Sequence, residues 1–221
     1  MIQAVIFDMD GVLIDSEPLY LGWFRKFLEA YEIDVPDEEF HHLAGCSAKM
    51  EEQLLEKWWN TSKKESKTEK EVSDLFDEFY EEYIEKHPYS YAEIKDKDID
   101  FVLKTLKDNG YQVAIASSSS MKVIRQVMNE IDIESYVDVI VSGEMFKESK
   151  PNPEIYSFTL KKLGLEAAEC IAIEDSTYGI QAAKRAGIMT LAKKDERFHY
   201  DQSLADEVIE DLSQIIKFLK M

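Results

Sequence analysis

Four apolar residues, Ala4-Val5-Ile6-Phe7, run into Asp8 and then Gly11 within the first dozen positions. Short, uniformly apolar and closed by turn-forming residues, this pattern predicts a buried strand over residues 3–7 that enters a loop. Comparable runs return only after residue 110, at Gln112–Ser117, Val137–Ser142, Cys170–Glu174 and Ile188–Ala192. Between them the period lengthens to that of a helix, over residues 121–130, 153–163 and 177–186. Gly164 and Gly187 follow two of these helices, where a left-handed C-terminal cap is expected. A last helix is predicted over 212–219. Strand alternating with helix argues for an α/β fold with a parallel sheet covered on both faces.

Residues 16–90 interrupt the alternation and read as helix only. Leu19, Trp23, Phe24, Phe27 and Leu28 make one apolar face. Ser47 is placed to cap a second helix carrying Met50, Leu54, Leu55 and Trp58. Thr68 and Glu71 have the spacing of a capping box ahead of Val72, Leu75, Phe76, Phe79 and Tyr83. A helical module is therefore expected between the first strand and the rest of the sheet. Its chain exits lie near residue 15 and residues 88–95, where Pro88 marks a helix end. The polar, lysine-rich stretch Asn60–Lys70 reads as a solvated loop.

Composition narrows the function. Of 221 residues, 45 are acidic and 26 basic, for a formal charge of −19. Such a field repels nucleic acid and anionic lipid, so neither is expected as a partner. An anionic substrate would need a local cation. The two cysteines, Cys46 and Cys170, form no disulfide or metal-site pattern. The first residues lack the basic stretch of a signal peptide, and no apolar run has the length of a membrane span. A cytoplasmic monomer is the expectation.

Ligands of parallel sheets gather at the carboxyl ends of the strands. There the first strand delivers Asp8-Met9-Asp10-Gly11 and the second Ser117-Ser118-Ser119-Ser120. The loop after the third delivers Lys150, and the fourth strand Glu174-Asp175-Ser176. Each piece has an ordinary reading: turn chemistry for Asp8–Gly11, a helix cap for Ser119 or Ser120, a surface position for Lys150, and a helix-dipole partner for Glu174 and Asp175. Their coincidence at one edge points to phosphoryl chemistry. A phosphate monoester is a dianion, and two unit charges at ~4 Å repel by ~4 kcal/mol at an effective dielectric of ~20. Magnesium held by carboxylates offsets this, and Lys150 adds a point charge. Ser117 and neighbouring backbone N–H groups suit phosphoryl oxygens. A second acid can protonate the leaving oxygen and then deprotonate water.

These motifs resemble the haloacid dehalogenase-like hydrolase superfamily, in its β-phosphoglucomutase-like phosphatase branch. The likeness is carried by Val5–Pro18, Ala116–Ser119, Lys150–Pro153 and Ile173–Ile180, in that order. It implies a doubly wound parallel-sheet (Rossmann-like) core, residues 1–15 plus 91–221, with an inserted all-helical cap domain at 16–90. By the same resemblance Asp8 is the nucleophile that becomes an aspartyl-phosphate. Asp10 is the general acid and then base, and lends its backbone carbonyl to the metal. Asp8, Asp10, Glu174 and Asp175 would hold Mg2+, while Ser117, Ser118 and Lys150 would hold the phosphate. The expected substrate is a small phosphorylated metabolite, a sugar phosphate foremost. Candidate substrate residues are Glu17, Tyr20, Ser47 and Lys49, with Cys46 beside them.

Two departures favour hydrolysis over phosphosugar mutation. Tyr20 stands where the mutase pattern has a histidine, and Ala48 then Lys49 follow Gly45-Cys46-Ser47 where that pattern has an arginine. A lysine grips a distal phosphate less well than an arginine fork. Asp10 argues against dehalogenation, which has no alkoxide to protonate. A non-catalytic receiver-type module would also gather acids, a hydroxyl and a lysine. It would, however, phosphorylate a central strand after an acidic pair on the first, and would lack the helical insert. His41 and His42 have no third metal ligand in pattern, so they read as solvated helix positions.

Overall fold

The computed structural model describes residues 1–46 and 48–219. Its strands are β1 (Ala4–Phe7), β2 (Gln112–Ser117), β3 (Val139–Ser142), β4 (Cys170–Glu174), β5 (Met189–Lys193) and β6 (Glu207–Ile209). All pair in parallel in one sheet, ordered β3-β2-β1-β4-β5-β6. The α-helices are α1 (Glu17–Ala30), α2 (Asp37–Phe40), α3 (Ala48–Ser62), α4 (Glu69–Lys86), α5 (Ile99–Asp108), α6 (Met121–Glu130), α7 (Glu154–Leu163) and α8 (Thr177–Arg185). The expected α/β class with a doubly wound parallel sheet is thus the observed one.

The chain divides into two compact units, one built from Met1–Asp15 and the chain from Tyr91 onward, the other from Ser16–Ser90. In the first, every residue of β1 and β4 is buried, which is why these strands are uniformly apolar up to their last positions. Helix α5 turns Ile99, Val102, Leu103 and Leu106 inward. Gly164 and Gly187 take positive φ, 71° and 79°, after α7 and α8. Where the chain leaves and re-enters this unit, the N–H of Asp15 donates to Ile94 O at 2.8 Å and that of Asp96 to Leu13 O at 2.9 Å.

The second unit is an aromatic-rich helical cluster. Phe24 stacks on Phe76 with centroids 4.4 Å apart, and Phe27 meets Phe76 and Phe79 edge-on. The Thr68–Glu71 capping box forms at the start of α4. Leu21 rather than Leu19 completes the buried face of α1, since Leu21 stands three residues from Phe24 and seven from Leu28 on the inward side. The expected cap at Ser47 lies outside the described residues.

Three other sequence expectations are revised. The lysine-rich stretch is helical at both ends, because α3 extends through Ser62 and α4 starts at Glu69; Asn60 bridges the turn by bonding both Lys67 N and Lys67 O. The last helix is a 3-10 helix, Leu212–Phe218. Strand β6, three residues at the sheet edge, carries no apolar run and forms through its pairing with β5.

Candidate active site

Strand order reverses between β1 and β4, so their carboxyl ends frame the crevice where open α/β sheets take ligands. The register pairs Phe7 with Ile173, and the N–H of Asp8 donates to Ile173 O at 2.9 Å. Asp8 therefore emerges directly beside Glu174. Asp8, Glu174 and Asp175 each offer a carboxylate oxygen, and these oxygens lie within 4.8 Å of one another. All three residues are buried.

Lys150 enters this cluster from the loop ahead of α7, where the Lys150–Pro151 peptide is cis. Its ammonium lies 3.0 Å from Asp8 Oδ1 and 2.7 Å from Glu174 Oε1, with its side chain only 6% exposed. A surface lysine is thereby ruled out. The hydroxyl of Tyr156, fully buried on α7, also donates to Glu174 Oε1. Nothing in the sequence around Tyr156 distinguishes it from an ordinary core aromatic, so it was not anticipated.

Burial first, and then the Asp8 carboxylate, push the Glu174 pKa up to about 7, against the opposing pull of Lys150 and Tyr156. Burial works against the Lys150 charge, yet Asp8 and Glu174 outweigh it and raise the ammonium above its ordinary range. Burial and the same carboxylates raise Tyr156.

The second strand places Ser117 Oγ where it accepts from Ser119 N at 3.1 Å, fully buried, while Ser118 is exposed at the turn. Of the two serines that sequence offered as a cap, Ser120 caps α6 through Val123 N. Ser119 instead donates its hydroxyl to Asp10 Oδ2 at 2.9 Å, and its carbonyl accepts from buried Ser142 at 2.7 Å. Asp10 is thus tied to the second strand, and its side chain is outside the three-carboxylate group. Ser176 caps α8 through Gly179 N.

Two glycines make room for the carboxylates. At Gly11, with φ 73°, a Cβ would sit 2.0 Å from Asp175 Oδ2; at Gly179 it would sit 1.9 Å from Glu174 Oε2. The residues fit a hard divalent cation. The donors are all carboxylate oxygens, the type magnesium prefers. Three carboxylates against one ammonium leave two negative charges unbalanced when Glu174 is ionised. Glu174 Oε2, moreover, is buried without a hydrogen-bond partner, a costly state for an anionic oxygen.

The other candidates belong to the second unit. Glu17 Oε1 accepts from Gly45 N at 3.0 Å, Tyr20 packs on Trp23, and Lys49 is ion-paired with Glu69 and Glu52. Cys46 is half-buried and reduced. His41 and His42 are exposed on a short 3-10 helix and join no metal-ligating group among the described residues.

Residues 5–193 match the family model of the haloacid dehalogenase-like hydrolases, and the chain belongs to that family. It is accordingly an enzyme, a hydrolase of the phosphatase type. A phosphorylated carbohydrates phosphatase of Thermotoga maritima is 30% identical over 188 residues, 84% of this chain and 82% of that protein. Hexitol phosphatase B of Escherichia coli strain K12 is 27% identical over 226 residues, 97% and 94% of the two chains. The fold is also that of a β-phosphoglucomutase from Clostridium difficile, with a TM-score of 0.78 at 24% identity, covering 97% of this chain and 93% of that one. Among the described residues, no helix is long and apolar enough to cross a membrane.

Proposed function

We propose that this chain is a magnesium-dependent phosphatase of a small phosphorylated metabolite, a sugar phosphate foremost, working through an aspartyl-phosphate on Asp8. The observation that carries the reading is Lys150, buried between Asp8 and Glu174 where three carboxylates converge. A lysine in that position gives an incoming phosphate a cation and holds the Asp8 carboxylate still. Relatives named for phosphorylated carbohydrates and for hexitols support the substrate class.

Asp8, Glu174 and Asp175, with the Asp10 carbonyl, would hold Mg2+, which when bound offsets the charge of the phosphate dianion. A carboxylate oxygen of Asp8 forms the new bond to phosphorus as the ester P–O bond breaks. Asp10 gives its proton to the departing alkoxide. Water then attacks the phosphorus of the acyl phosphate, Asp10 takes a proton from it, and inorganic phosphate leaves with Asp8 restored. Ser119, at 2.9 Å from Asp10, steadies the proton carrier in both halves. Ser117, Ser118 and Lys150 bind the phosphoryl oxygens. The unit Ser16–Ser90 is the cap domain of this reading, with Glu17, Tyr20, Ser47 and Lys49 as its substrate residues. The enzyme works as a cytoplasmic monomer.

Lys49 favours water over a second sugar as acceptor, because its ammonium is already engaged by Glu69 and Glu52. The test is phosphate release from a broad panel of monoesters with Mg2+, by wild type and Asp8→Asn. Release by the wild type alone, with acid-stable label on the protein, supports the reading. No release from any ester, or equal release by Asp8→Asn, refutes it. Conversion of β-glucose 1-phosphate to glucose 6-phosphate with a bisphosphate primer would move the assignment to a mutase.

A further inference from the structure

The β4–β5 ladder ends at the pair Glu174 and Ala192. The next residues, Asp175 and Lys193, lie just past that pair, Lys193 being paired with Ile209 of β6. Gln202, in the connection between β5 and β6, reaches both: its Nε2 lies 2.6 Å from Asp175 O and 2.8 Å from Lys193 O. Both partners are acceptors only, so the side-chain atom between them is the amide nitrogen, with one proton for each. The preceding residue adds a third tie, from Asp201 N to Thr177 Oγ1 at 2.7 Å. The turn Asp175-Ser176-Thr177 is thus gripped on either side of its middle residue.

We propose that Gln202 is a positioning residue for Asp175. The inference rests on the metal-site reading given above. Asp175 leaves its strand and turns at once into the Ser176-capped helix α8, so its peptide plane has no ladder to orient it. The placement of its backbone sets how far the carboxylate can reach into the cluster. The carboxylate occupies the space that a side chain at Gly11 would fill, since an ideal Cβ there would lie 2.0 Å from Asp175 Oδ2. Gln202 anchors that backbone by joining the Asp175 carbonyl to Lys193 at the end of β5, whose three middle residues are buried. No aspartate in the cluster needs Gln202 for charge balance. Its effect is on geometry, and metal affinity is where geometry shows.

The test compares Gln202→Met, of similar length but without amide protons, with wild type and with Asp175→Asn. Mg2+ binding to each is measured by calorimetry on the intact chain, beside thermal stability. Gln202→Met is expected to bind Mg2+ ~10-fold more weakly, the usual scale for removing a partner of a metal ligand. The Mg2+ concentration giving half-maximal turnover should rise in parallel, with substrate KM at saturating metal moving less than ~2-fold. A lowered melting temperature with wild-type Mg2+ affinity overturns the inference, since it makes Gln202 a support of the loop alone. If Gln202→Met does not fold, Gln202→Glu keeps the length, removes both protons and carries the same comparison. Weaker binding by Asp175→Asn without any change in Gln202→Met defeats the inference and leaves the metal site standing. Unchanged binding by Asp175→Asn defeats the metal-site reading itself.

Discussion

Gly179→Ala sets helix propensity against the site, and the two forces predict opposite signs. Gly179 lies in the first turn of α8, and alanine there gains up to ~1 kcal/mol of intrinsic helix stability. An ideal Cβ at that position, however, falls 1.9 Å from Glu174 Oε2, 2.2 Å from its Cδ and 2.4 Å from Oε1, where contacts under 3.0 Å are essentially never seen. The carboxylate must therefore retreat by about an ångström. Glu174 is fully buried and held on its other oxygen by Lys150 at 2.7 Å and by Tyr156, so that retreat breaks at least one charge-assisted hydrogen bond. Such a bond contributes ~1.5–3 kcal/mol. The net expectation is a loss of at least ~0.5–2 kcal/mol in the metal-free protein, from the difference of these two effects. Displacing a ligand also weakens Mg2+ binding by at least ~10-fold. Gly22→Ala is the control: it sits inside α1, exposed, with nothing within 4 Å of the added carbon, and should stabilise by up to ~1 kcal/mol. Urea unfolding and Mg2+ calorimetry on both variants decide the matter. The reasoning is refuted if Gly179→Ala gains stability as Gly22→Ala does and binds Mg2+ like wild type.

Other outcomes follow from the same cluster. Glu174 has its pKa raised to about 7 by burial and Asp8, so its contribution to stability is full below its unfolded pKa and is lost as pH rises through about 7. The metal-free protein should accordingly lose thermal stability as pH rises from the ordinary glutamate range to about 7 and change little from this cause above it, and Mg2+ binding near pH 6 should release close to one proton, read from calorimetry in buffers of different ionisation heat. A flat profile with no proton release would contradict the burial argument. Tyr156→Phe should destabilise by ~1–3 kcal/mol, measured by urea unfolding, because Glu174 Oε1 keeps only Lys150. Ser119→Ala should lower kcat by ~10-fold, the equivalent of one hydrogen bond, with substrate KM little changed in steady-state assays. Arg197→Ala should destabilise by ~1–3 kcal/mol in urea unfolding, because besides its half-exposed pair with Asp15 the guanidinium also bonds Asp195, whose side chain is only 11% exposed.

The elements legible in the sequence were those whose local pattern and final environment agree. The run Ala4–Phe7 is uniformly apolar because it is central and covered on both faces, and the Thr68–Glu71 box forms because it needs only four consecutive residues. Helix α5 also carries a readable signal, Ile99, Val102, Leu103 and Leu106 at helical spacing. Strand β6 had none: Glu207 and Val208 are exposed, and an edge strand of three residues owes its shape to its neighbour. Similar limits apply to the site. Asp8, Lys150, Glu174 and Asp175 were nominated by where strands end, and the structure brings their side chains together. Tyr156 and Gln202 reach the same cluster from a helix face and a connecting loop, through contacts between residues far apart in sequence. No local pattern marks such a contact. Ser119 and Ser120 show the finer problem, since adjacent hydroxyls take different jobs that only backbone direction separates.

Of the strands in this sheet, β1 waits over the longest stretch of chain for its second partner. β1 lies between β2 and β4, so the ribosome must reach Cys170–Glu174 before the second side of β1 can pair. At roughly 5–20 residues per second, that interval is on the order of ten seconds. Throughout it, Ala4–Phe7 is an apolar segment with unpaired backbone groups, the kind that associates with other nascent chains or with chaperones. A chain halted short of Cys170 would have the helical unit available to fold while the strand bearing Asp8 stayed half-matched. The position of that strand thus makes assembly of the reactive carboxylates wait on β4, long after Asp8 has been made.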